Sequence, residues 1–354
     1  MTHNGRKGAI VGFGFIAQSG HVPAYAESEA LQIVAVADPC PARREAAAKT
    51  FPAARIYDDY GALLAGEKGT IDFVDIAAPP YVHAEVARAA LESGLHVLCE
   101  KPFTVHANEA RALLQLAARQ RRVIFPSHNY KFAPVVSRVN QILASGLIGT
   151  VHHVTLETFR ATHARGVQEW NADWRRQKKF SGGGIAMDHG SHTFYLAFDW
   201  LRSLPTAITA KMSASNGYDT EDTFSAALTF PTGTASVHLT WRAGFRRVIY
   251  TIHGNRGAIR VEDDNTAVWI MDQPDGKGGR TTWTNFAETI SSQWMDAGHA
   301  EWFGAMFEGF TSAIEARDYT GKEAYNALAC VELIEAAYLS AADGCRERQL
   351  ALTP

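Results

Sequence analysis

The sequence is poor in cysteine, and it has neither a long uninterrupted apolar run nor an excess of positive charge. Its four cysteines are Cys40, Cys99, Cys330 and Cys345. Because they lie far apart and form no C-x-x-C pair, we expect free thiols in a reducing cytoplasm. The same spacing argues against a disulfide framework and against a zinc site, so no metal is expected.

Other missing patterns exclude further classes of protein. No run of about eighteen apolar residues is present, so no membrane helix is expected. The formal net charge of −3 argues against nucleic acid as a partner, since such proteins carry a concentrated basic surface. The apolar run at residues 9–17 is broken by Gly12 and Gly14 and has no cleavage-like flank, so we expect no signal peptide.

What the sequence does contain is a regular alternation of strand and helix patterns in its N-terminal part. Apolar runs predict strands at residues 7–11, 31–37, 71–77, 96–99 and 123–126. Helical patterns lie between them at residues 43–50, 81–93 and 107–119. This alternation predicts right-handed βαβ units and a doubly wound parallel sheet. A chain of 354 residues is long enough for two domains, and we assign residues 1–127 to the first.

The pattern changes near Ser127. Pro134 opens a helix that Gly146 ends. Alternating runs follow at residues 151–159, 207–214, 223–230, 234–241 and 248–253, and two helices with apolar stripes come last. Several strands without intervening helices predict an antiparallel or mixed sheet. We assign residues 128–354 to this second domain.

A glycine-rich turn joins the first predicted strand to the first helix. The segment G-F-G-F-I-A, residues 12–17, matches G-x-G-x-x-G/A in the strand-to-helix context that this motif requires. Gly12 would allow the tight turn, and Gly14 would let the backbone approach a pyrophosphate. The helix N-terminus would add amide donors and a partial positive charge. We therefore predict a dinucleotide-binding domain of the Rossmann type.

The second predicted strand ends in a carboxylate. Asp38 follows Ala17 by about 20 residues, the distance at which an acidic residue binds the adenosine ribose hydroxyls. A carboxylate there would repel the extra phosphate of NADP, so we expect NAD as the cofactor and NADP less so. Arg43 and Arg44 lie nearby and could offset this charge, or they could simply be solvated on their helix.

Three further segments carry a family resemblance. They are E-K-P at residues 100–102, G-G-G-x-x-x-D-x-G-x-H at residues 182–192, and the helix-plus-turn at residues 134–149. Together with the glycine-rich turn, and in this order, they resemble the Gfo/Idh/MocA oxidoreductase family, which includes glucose–fructose oxidoreductase and inositol dehydrogenase. The resemblance covers most of the chain. It implies a Rossmann domain followed by an α/β domain whose large, open, mostly antiparallel sheet often forms the oligomer interface, so we expect a homodimer or homotetramer.

The glycine-rich turn, Asp38 with the neighbouring Arg43, and the resemblance together give the predicted cofactor contacts. These are Gly12, Gly14, Phe15, Ile16, Asp38, Arg43, Pro79, His83 and Glu100. The sequence also departs from the family pattern. Ala78 and Pro80 stand where the family more often has Thr-Pro-Asn around the shared proline, and Lys131 stands where many members carry Arg. These departures leave the substrate contacts open.

Lys101, Asp188 and His192 are the active-site residues that the resemblance implies, and their chemistry suits alcohol oxidation. Lys101 follows a strand at its carboxyl end, where open α/β sheets build their ligand crevice. Near an oxidised nicotinamide its ammonium would meet a like charge, which favours loss of its proton. Lys101 could then bind the substrate oxygen and share the proton. His192, with an ordinary pKa of about 6.5, suits acid–base catalysis. Asp188 stands four residues earlier on one helix face and could orient the imidazole or the substrate, although a hydrogen-bonded helix start is the alternative.

The segment at residues 160–175 is dense in groups that recognise sugars and acids. They are Arg160, His163, Arg165, Trp170, Asn171, Trp174 and Arg175. Indole faces stack on sugar rings, and arginine binds hydroxyls or carboxylates. We predict that Arg160, Trp174 and Arg175 contact the substrate, as the three active-site residues do, although an exposed or interface loop is the alternative. His189 is expected to point to a different face of its helix.

The sequence thus predicts an NAD-dependent dehydrogenase or reductase acting on CH–OH groups. The hydride would pass between nicotinamide and a hydroxyl or carbonyl of a small sugar, cyclitol or other polyol-like molecule, with Lys101 and His192 in proton transfer. Two alternatives stay open. A dinucleotide-binding regulator of the same fold would have no catalysis, and an NAD-using glycosidase would oxidise its sugar transiently and return the hydride.

Overall fold

The computed structural model describes residues 5–215, 217–272, 282–291, 294 and 299–352. Within them the first sheet has six strands: β1 (Arg6–Val11), β2 (Leu31–Ala37), β3 (Arg55–Tyr57), β4 (Phe73–Ile76), β5 (His96–Cys99) and β6 (Ile124–Pro126). All are parallel, in the order β3-β2-β1-β4-β5-β6. The order reverses between β1 and β4, and such a switch point opens a ligand crevice at the carboxyl ends of the strands.

Helices connect these strands on both faces of the sheet. They are α1 (Val22–Glu27), α2 (Pro41–Thr50), α3 (Tyr60–Gly66), α4 (His83–Glu92) and α5 (Ala107–Gln120). A π-helical turn at Ala17–His21 precedes α1, and a 3-10 turn at Pro80–Val82 precedes α4. The prediction of a doubly wound parallel sheet is therefore confirmed. The strands are mostly apolar because helices cover both faces of the sheet.

The second half of the chain forms a larger sheet. Its strands among the described residues are β7 (Val151–Phe159), β8 (Ala207–Ser213), β9 (Thr223–Phe230), β10 (Gly233–Thr240), β11 (Arg247–Gly254), β12 (Gly257–Glu262), β13 (Asn265–Met271), β14 (Trp283–Thr289) and β15 (Arg348–Gln349). Their order is β14-β13-β12-β11-β7-β10-β9-β8-β15. The β7–β10 pair is parallel, and the other neighbours are antiparallel. This confirms the predicted large, mostly antiparallel sheet.

The helices of the second half divide between the two sheets. They are α6 (Pro134–Ala144), α7 (Lys178–Ser181), α8 (Ile185–Leu201), α9 (Ala300–Ala316) and α10 (Lys322–Ala342). The apolar faces of α6, α8 and part of α10 share one core with the inward side chains of the second sheet. By contrast, α9 packs Phe303, Phe307 and Phe310 into the core of the first sheet, beside Phe73. None of the described helices is both long and apolar enough to cross a membrane.

Several elements differ from their predicted bounds. The fourth strand is shorter than the predicted run at residues 71–77, and the predicted helix at residues 81–93 begins as a 3-10 turn. No strand was predicted at β3, which has only three residues and so shows no periodicity. Strands β12, β13, β14 and β15 were also not predicted; in β14 most side chains are exposed, so no apolar alternation marks it.

Candidate active site

A cavity of about 800 Å³ lies at the switch point of the first sheet and is walled by both halves of the chain. One wall consists of the glycine-rich turn and the loops that follow β2, β3, β4 and β5. The other wall consists of the segment after β7 and the first turns of α8. The cavity therefore joins the predicted cofactor site to the predicted chemical site.

The glycine-rich turn has the geometry that close backbone approach demands. Gly12 has a φ of +92°, and a Cβ at this position would lie 2.7 Å from the Ala78 backbone. A Cβ on Gly14 would meet no atom within 4 Å, because this residue borders the open cavity. A pyrophosphate can therefore reach the backbone at Gly14. Phe15 and Ile16 also line the cavity, with the Phe15 ring exposed.

Asp38 is buried at the end of the cavity beyond β2. Its Oδ2 accepts a hydrogen bond from the Phe13 amide at 2.7 Å, and its Oδ1 accepts one from the Cys40 amide at 2.8 Å. Each oxygen keeps a lone pair for a further donor. The carboxylate is thus held rigidly at the position where an adenosine ribose would place its hydroxyls.

The two nearby arginines support the turn instead of pointing into solvent. Arg43 is buried; its Nε donates to the Phe13 carbonyl at 2.8 Å and its Nη2 donates to Gln18 at 2.7 Å. Arg44 donates through Nη1 to the Asp38 carbonyl at 2.8 Å. These donors are already used within the protein, so they are not free to bind the extra phosphate of NADP. The repulsion between that phosphate and the Asp38 carboxylate would therefore not be compensated. The cavity therefore fits NAD better than NADP.

Pro79 and Glu100 line the cavity as predicted, but His83 does not. The His83 side chain is completely buried, with Nδ1 2.9 Å from the Pro102 carbonyl and Nε2 2.8 Å from the Ala78 carbonyl. It connects the loop after β4 to the loop after β5 from behind the cavity wall. The prediction of His83 as a direct cofactor contact does not fit this position, and its side chain instead braces two loops that line the cavity.

Lys101 and Asp188 form an ion pair that joins the two halves of the site. Lys101 Nζ donates to Asp188 Oδ1 at 2.9 Å and to the Asp188 carbonyl at 3.0 Å. Arg175 Nε donates to the same Oδ1 at 3.4 Å. Burial alone would raise the pKa of Asp188, but the charges of Lys101 and Arg175 hold it well below its usual range. Asp188 is therefore ionised at neutral pH and faces two cations.

His192 lies on the same helix as Asp188 but has different partners. Its ring stacks on Tyr130 with centroids 3.8 Å apart, and its Nδ1 lies 3.1 Å from the Tyr195 hydroxyl. Burial and the nearby Lys101 charge lower the pKa of His192 well below 6.5, so the imidazole is neutral at physiological pH. The i, i+4 helical spacing is confirmed. The structure does not support the idea that Asp188 orients the imidazole, because the ring of His192 contacts Tyr130 and Tyr195 instead.

His189 also lines the cavity, which the sequence analysis did not expect. Its Nε2 lies 3.8 Å from Asp188 Oδ2. The cavity wraps around the first turns of α8, so residues on adjacent helix faces both reach it. Burial lowers the pKa of His189 to about 3, with nearby Arg160 and Lys101 acting in the same direction. Its adjacency to Asp188 was the available sequence signal.

The predicted substrate contacts Arg160, Trp174 and Arg175 all line the cavity. The Arg175 guanidinium lies over the Trp174 ring, 4.2 Å from its centroid, and Nη1 of Arg175 donates to the Ala164 carbonyl at 3.1 Å. Lys131, by contrast, does not line the cavity but forms an ion pair with Glu323 at 2.9 Å. Its departure from the family pattern therefore lies outside the candidate site.

A buried charged cluster behind Lys101 was missed by the sequence analysis. His21 is fully buried, with Nδ1 2.6 Å from Asp75 Oδ2 and Nε2 3.1 Å from Glu100 Oε1. Burial lowers the pKa of His21, but Asp75 and Glu100 together raise it to about 10. Glu100 Oε2 also accepts the Lys101 amide at 3.1 Å. No local motif predicts this cluster, because its members are far apart in the sequence and only the fold of the sheet brings them together.

The comparison with family models assigns the chain to a family. Residues 6–128 match the oxidoreductase family with an NAD-binding Rossmann fold, and residues 136–260 match the GFO/IDH/MocA C-terminal domain. The protein therefore belongs to the Gfo/Idh/MocA oxidoreductase family. It is an oxidoreductase whose first domain binds NAD, as the glycine-rich turn and Asp38 predict.

Individual relatives agree with this assignment. An uncharacterised oxidoreductase of Synechocystis is 31% identical over 58% of the chain, and the alignment spans only 54% of that protein's length. The D-apiose dehydrogenase of Paraburkholderia graminis is 27% identical over 96% of the chain and 88% of its own length. Among solved structures, levoglucosan dehydrogenase in complex with NADH superimposes with a TM-score of 0.83 at 20% identity, covering 99% of this chain and all of that one. This last likeness shows the shared fold.

Proposed function

We propose that the protein is an NAD-dependent dehydrogenase of a sugar, cyclitol or sugar derivative. It would transfer a hydride between a CH–OH group and the nicotinamide. The observation that carries this proposal is the Lys101–Asp188 ion pair beside His192, in the same cavity as the glycine-rich turn. The names of the D-apiose and levoglucosan dehydrogenases are consistent with a sugar-like substrate.

Bound NAD would supply the hydride acceptor, and the residues of this chain would handle the proton. The Lys101 ammonium, held by Asp188, is positioned to donate a hydrogen bond to the reacting oxygen. His192 is neutral and its Nδ1 lies beside the Tyr195 hydroxyl; in the tautomer whose Nδ1–H donates to that hydroxyl oxygen, the unprotonated Nε2 would accept the hydroxyl proton. The two residues would therefore act on one oxygen from different walls of the cavity.

Asp188 would act on the site mainly through charge. Its carboxylate fixes the Lys101 ammonium and also pairs with Arg175 through the same oxygen, Oδ1. A deprotonated substrate oxygen formed next to Lys101 would be stabilised by that ammonium in a partly buried setting, where electrostatic effects are stronger than in water. We therefore assign proton acceptance to His192 and charge stabilisation to Lys101.

The test is a panel of polyols, aldoses and sugar acids incubated with NAD, with absorbance of the reduced cofactor as the readout. A dehydrogenase accumulates NADH in proportion to the substrate consumed. A dinucleotide-binding regulator would bind NADH but reduce no NAD with any member of the panel. An NAD-using glycosidase would cleave a glycoside without net NADH. Either of these results would overturn the proposal.

We also propose that the protein is a homodimer or homotetramer joined through the second sheet. The face of this sheet turned away from α8 carries side chains that are mostly half-buried or exposed in the single chain. They include Phe159 on β7, Ser236 on β10 and Ile249 on β11. A broad sheet face with such side chains is suited to a partner surface.

A further inference from the structure

We infer that the substrate carries a carboxylate and that Arg160 binds it, an inference that rests on the proposed dehydrogenase function. The substrate would thus be a polyhydroxylated acid, such as a uronic or aldonic acid, in preference to a neutral sugar. Arg160 would determine specificity, and it would hold the acid end of the substrate while Lys101 and His192 act on a hydroxyl.

Arg160 is fixed at its backbone, and one nitrogen of its charged end has no hydrogen-bond partner among the described residues. It directly follows β7, where its amide donates to the Thr240 carbonyl at 2.9 Å and its carbonyl accepts from the Ala243 amide at 3.0 Å. The side chain lines the cavity. Its Nη1 is buried and meets no hydrogen-bond acceptor among the described residues. Because the same side chain borders the cavity, an anion bound there could supply the missing partner charge.

The acids of the cavity are already engaged elsewhere. Asp188 is shared by Lys101 and Arg175, and Glu100 is bound to His21. The remaining acids of the cavity wall follow β2 and β3, at the adenosine end; they are Asp38, Asp58 and Asp59. Arg160 has no ion pair in the described part of the chain. The chemical end of the cavity therefore has more positive than negative charge.

This charge imbalance favours an anion over a hydroxyl as the partner of Arg160. A hydroxyl would accept one hydrogen bond but leave the guanidinium charge unbalanced. A carboxylate matches the planar fork of arginine with two parallel hydrogen bonds and neutralises the charge. The guanidinium lies near enough to His189 to contribute to the lowered pKa of that ring, where burial is the larger cause. This places Arg160 beside the Asp188 end of the cavity.

The surroundings favour a carboxylate over a phosphate. Phosphates commonly bind at a helix N-terminus, through several free amides. At the start of α8 these amides are already used, since Gly184 and Ala186 both donate to the Glu221 carboxylate at 2.9 Å. A phosphate would therefore not find these two amides free, whereas one arginine is sufficient for a carboxylate.

The experiment compares matched ligands that differ in a single group. Calorimetry of the protein–NADH complex would measure the affinities for glucose, glucuronate and glucose 6-phosphate, and for the corresponding galactose set. We expect at least one acid to bind about tenfold or more tightly than its neutral partner, since the bond is charge-assisted. Tightest binding by a neutral sugar or by a sugar phosphate, or no binding by any acid, would overturn the inference.

Substitution of Arg160 then tests the residue itself. Arg160→Gln should weaken binding of the acid by about 10- to 100-fold while changing the affinity for the neutral sugar less than about threefold. Arg160→Lys keeps the charge without the fork and should lie between these values. Arg119→Gln removes the same charge from an exposed position on α5 and should change nothing. NADH fluorescence titration checks that each variant still binds the cofactor.

Failure of this inference and failure of the proposed function give different results. Arg160-dependent acid binding without any NAD reduction would leave the ligand assignment standing and reject the dehydrogenase. Rapid NAD reduction with a neutral sugar, unchanged in Arg160→Gln, would support the dehydrogenase and reject the carboxylate. Equal losses for acid and neutral ligands in Arg160→Gln would also reject it, since Arg160 would then serve the cavity generally.

Discussion

Lys101 and His192 reach the cavity from different halves of the chain, one from the loop after β5 and the other from α8. Lys101→Ala should remove the cation beside the reacting oxygen while leaving the glycine-rich turn and Asp38 intact. Turnover should fall by roughly a hundredfold or more, the range for a positioned acid–base group, with NADH affinity nearly unchanged. His192→Ala should act similarly. The measurements are steady-state kinetics on the true substrate and NADH fluorescence.

The double variant gives a sharper result than either single one. Because both groups serve one proton transfer, their losses should not simply multiply. Lys68→Ala removes an exposed lysine far from the cavity and serves as the control. Near-normal turnover in either single variant would show that the assigned role is wrong for that residue.

The buried cluster of His21, Asp75 and Glu100 predicts a pH dependence of stability. An unfolded histidine has a pKa of about 6.5, whereas the two carboxylates raise the pKa of His21 to about 10 in the folded protein. The folded state therefore retains a proton that the unfolded state has lost. Stability from this group is fully present below about pH 6.5 and declines as the pH rises towards about 10. Denaturant unfolding between pH 6 and 10 measures this decline.

His21→Gln should remove the positive charge and leave Asp75 and Glu100 buried without it. We expect a loss of roughly 3–5 kcal/mol at pH 7, the usual effect of breaking a buried charge pair, and a much flatter dependence of stability on pH above 6.5. His152→Gln changes an exposed histidine and should keep the wild-type slope. A wild-type slope in His21→Gln would mean that another group causes the alkaline decline.

At the scale of the element, the turn between β1 and the first helix leaves no room for a side chain at Gly12. Gly12→Ala would place a Cβ 2.7 Å from the Ala78 backbone at a φ of +92°. Both the turn and the loop after β4 would have to shift, so NADH affinity should fall by about tenfold or more and stability by roughly 1–3 kcal/mol. Fluorescence titration and thermal unfolding measure the two effects.

Gly69→Ala separates the strain of the backbone angle from the clash. Gly69 has a φ of +77°, but a Cβ there would meet nothing within 4 Å. Its substitution should therefore destabilise the protein modestly and leave NADH binding unchanged. Equal losses of NADH affinity in the two variants would show that the approach of Gly12 to Ala78 does not shape the cofactor site.

Regular elements were the part of the fold that the sequence could predict. The strands β2, β5, β7 and β9 begin and end where the apolar pattern places them, because continuous or alternating burial leaves a direct record in the residue order. β3 could not be predicted in this way, since it has three residues and none is fully buried. The packing of α9 on the first sheet could not be predicted either, because an apolar stripe does not identify the surface that it covers.

The site was predictable in its members but not in its pairings. Local motifs identified Gly12, Lys101, Asp188 and His192, all of which line one cavity. The partner of Asp188 was not identified, because Lys101 is 87 residues away and only the fold brings the two together. His83 shows the converse limit, since its place in a motif suggested a ligand contact whereas its side chain is fully buried and does not line the cavity.

At the scale of the whole molecule, the two sheets have different relations to their surroundings. The first is covered on both faces by its own helices and by α9. The second packs one face on α6, α8 and α10, while the other presents polar and apolar side chains to the outside. We therefore expect light scattering at micromolar concentration to give a dimer or tetramer. A monomeric mass would contradict this assembly.

A substitution at the centre of that outer face identifies the surface used. Ser236 is exposed on β10 and lies opposite Thr155 of β7, near the middle of the sheet. Ser236→Arg should be tolerated by the single chain, yet it would bury a charge against the partner copy and shift the protein to a smaller species. Ala118→Arg, at an exposed position on α5, should keep the wild-type mass. If Ser236→Arg also kept it, with unchanged thermal unfolding, the interface would lie elsewhere on the molecule.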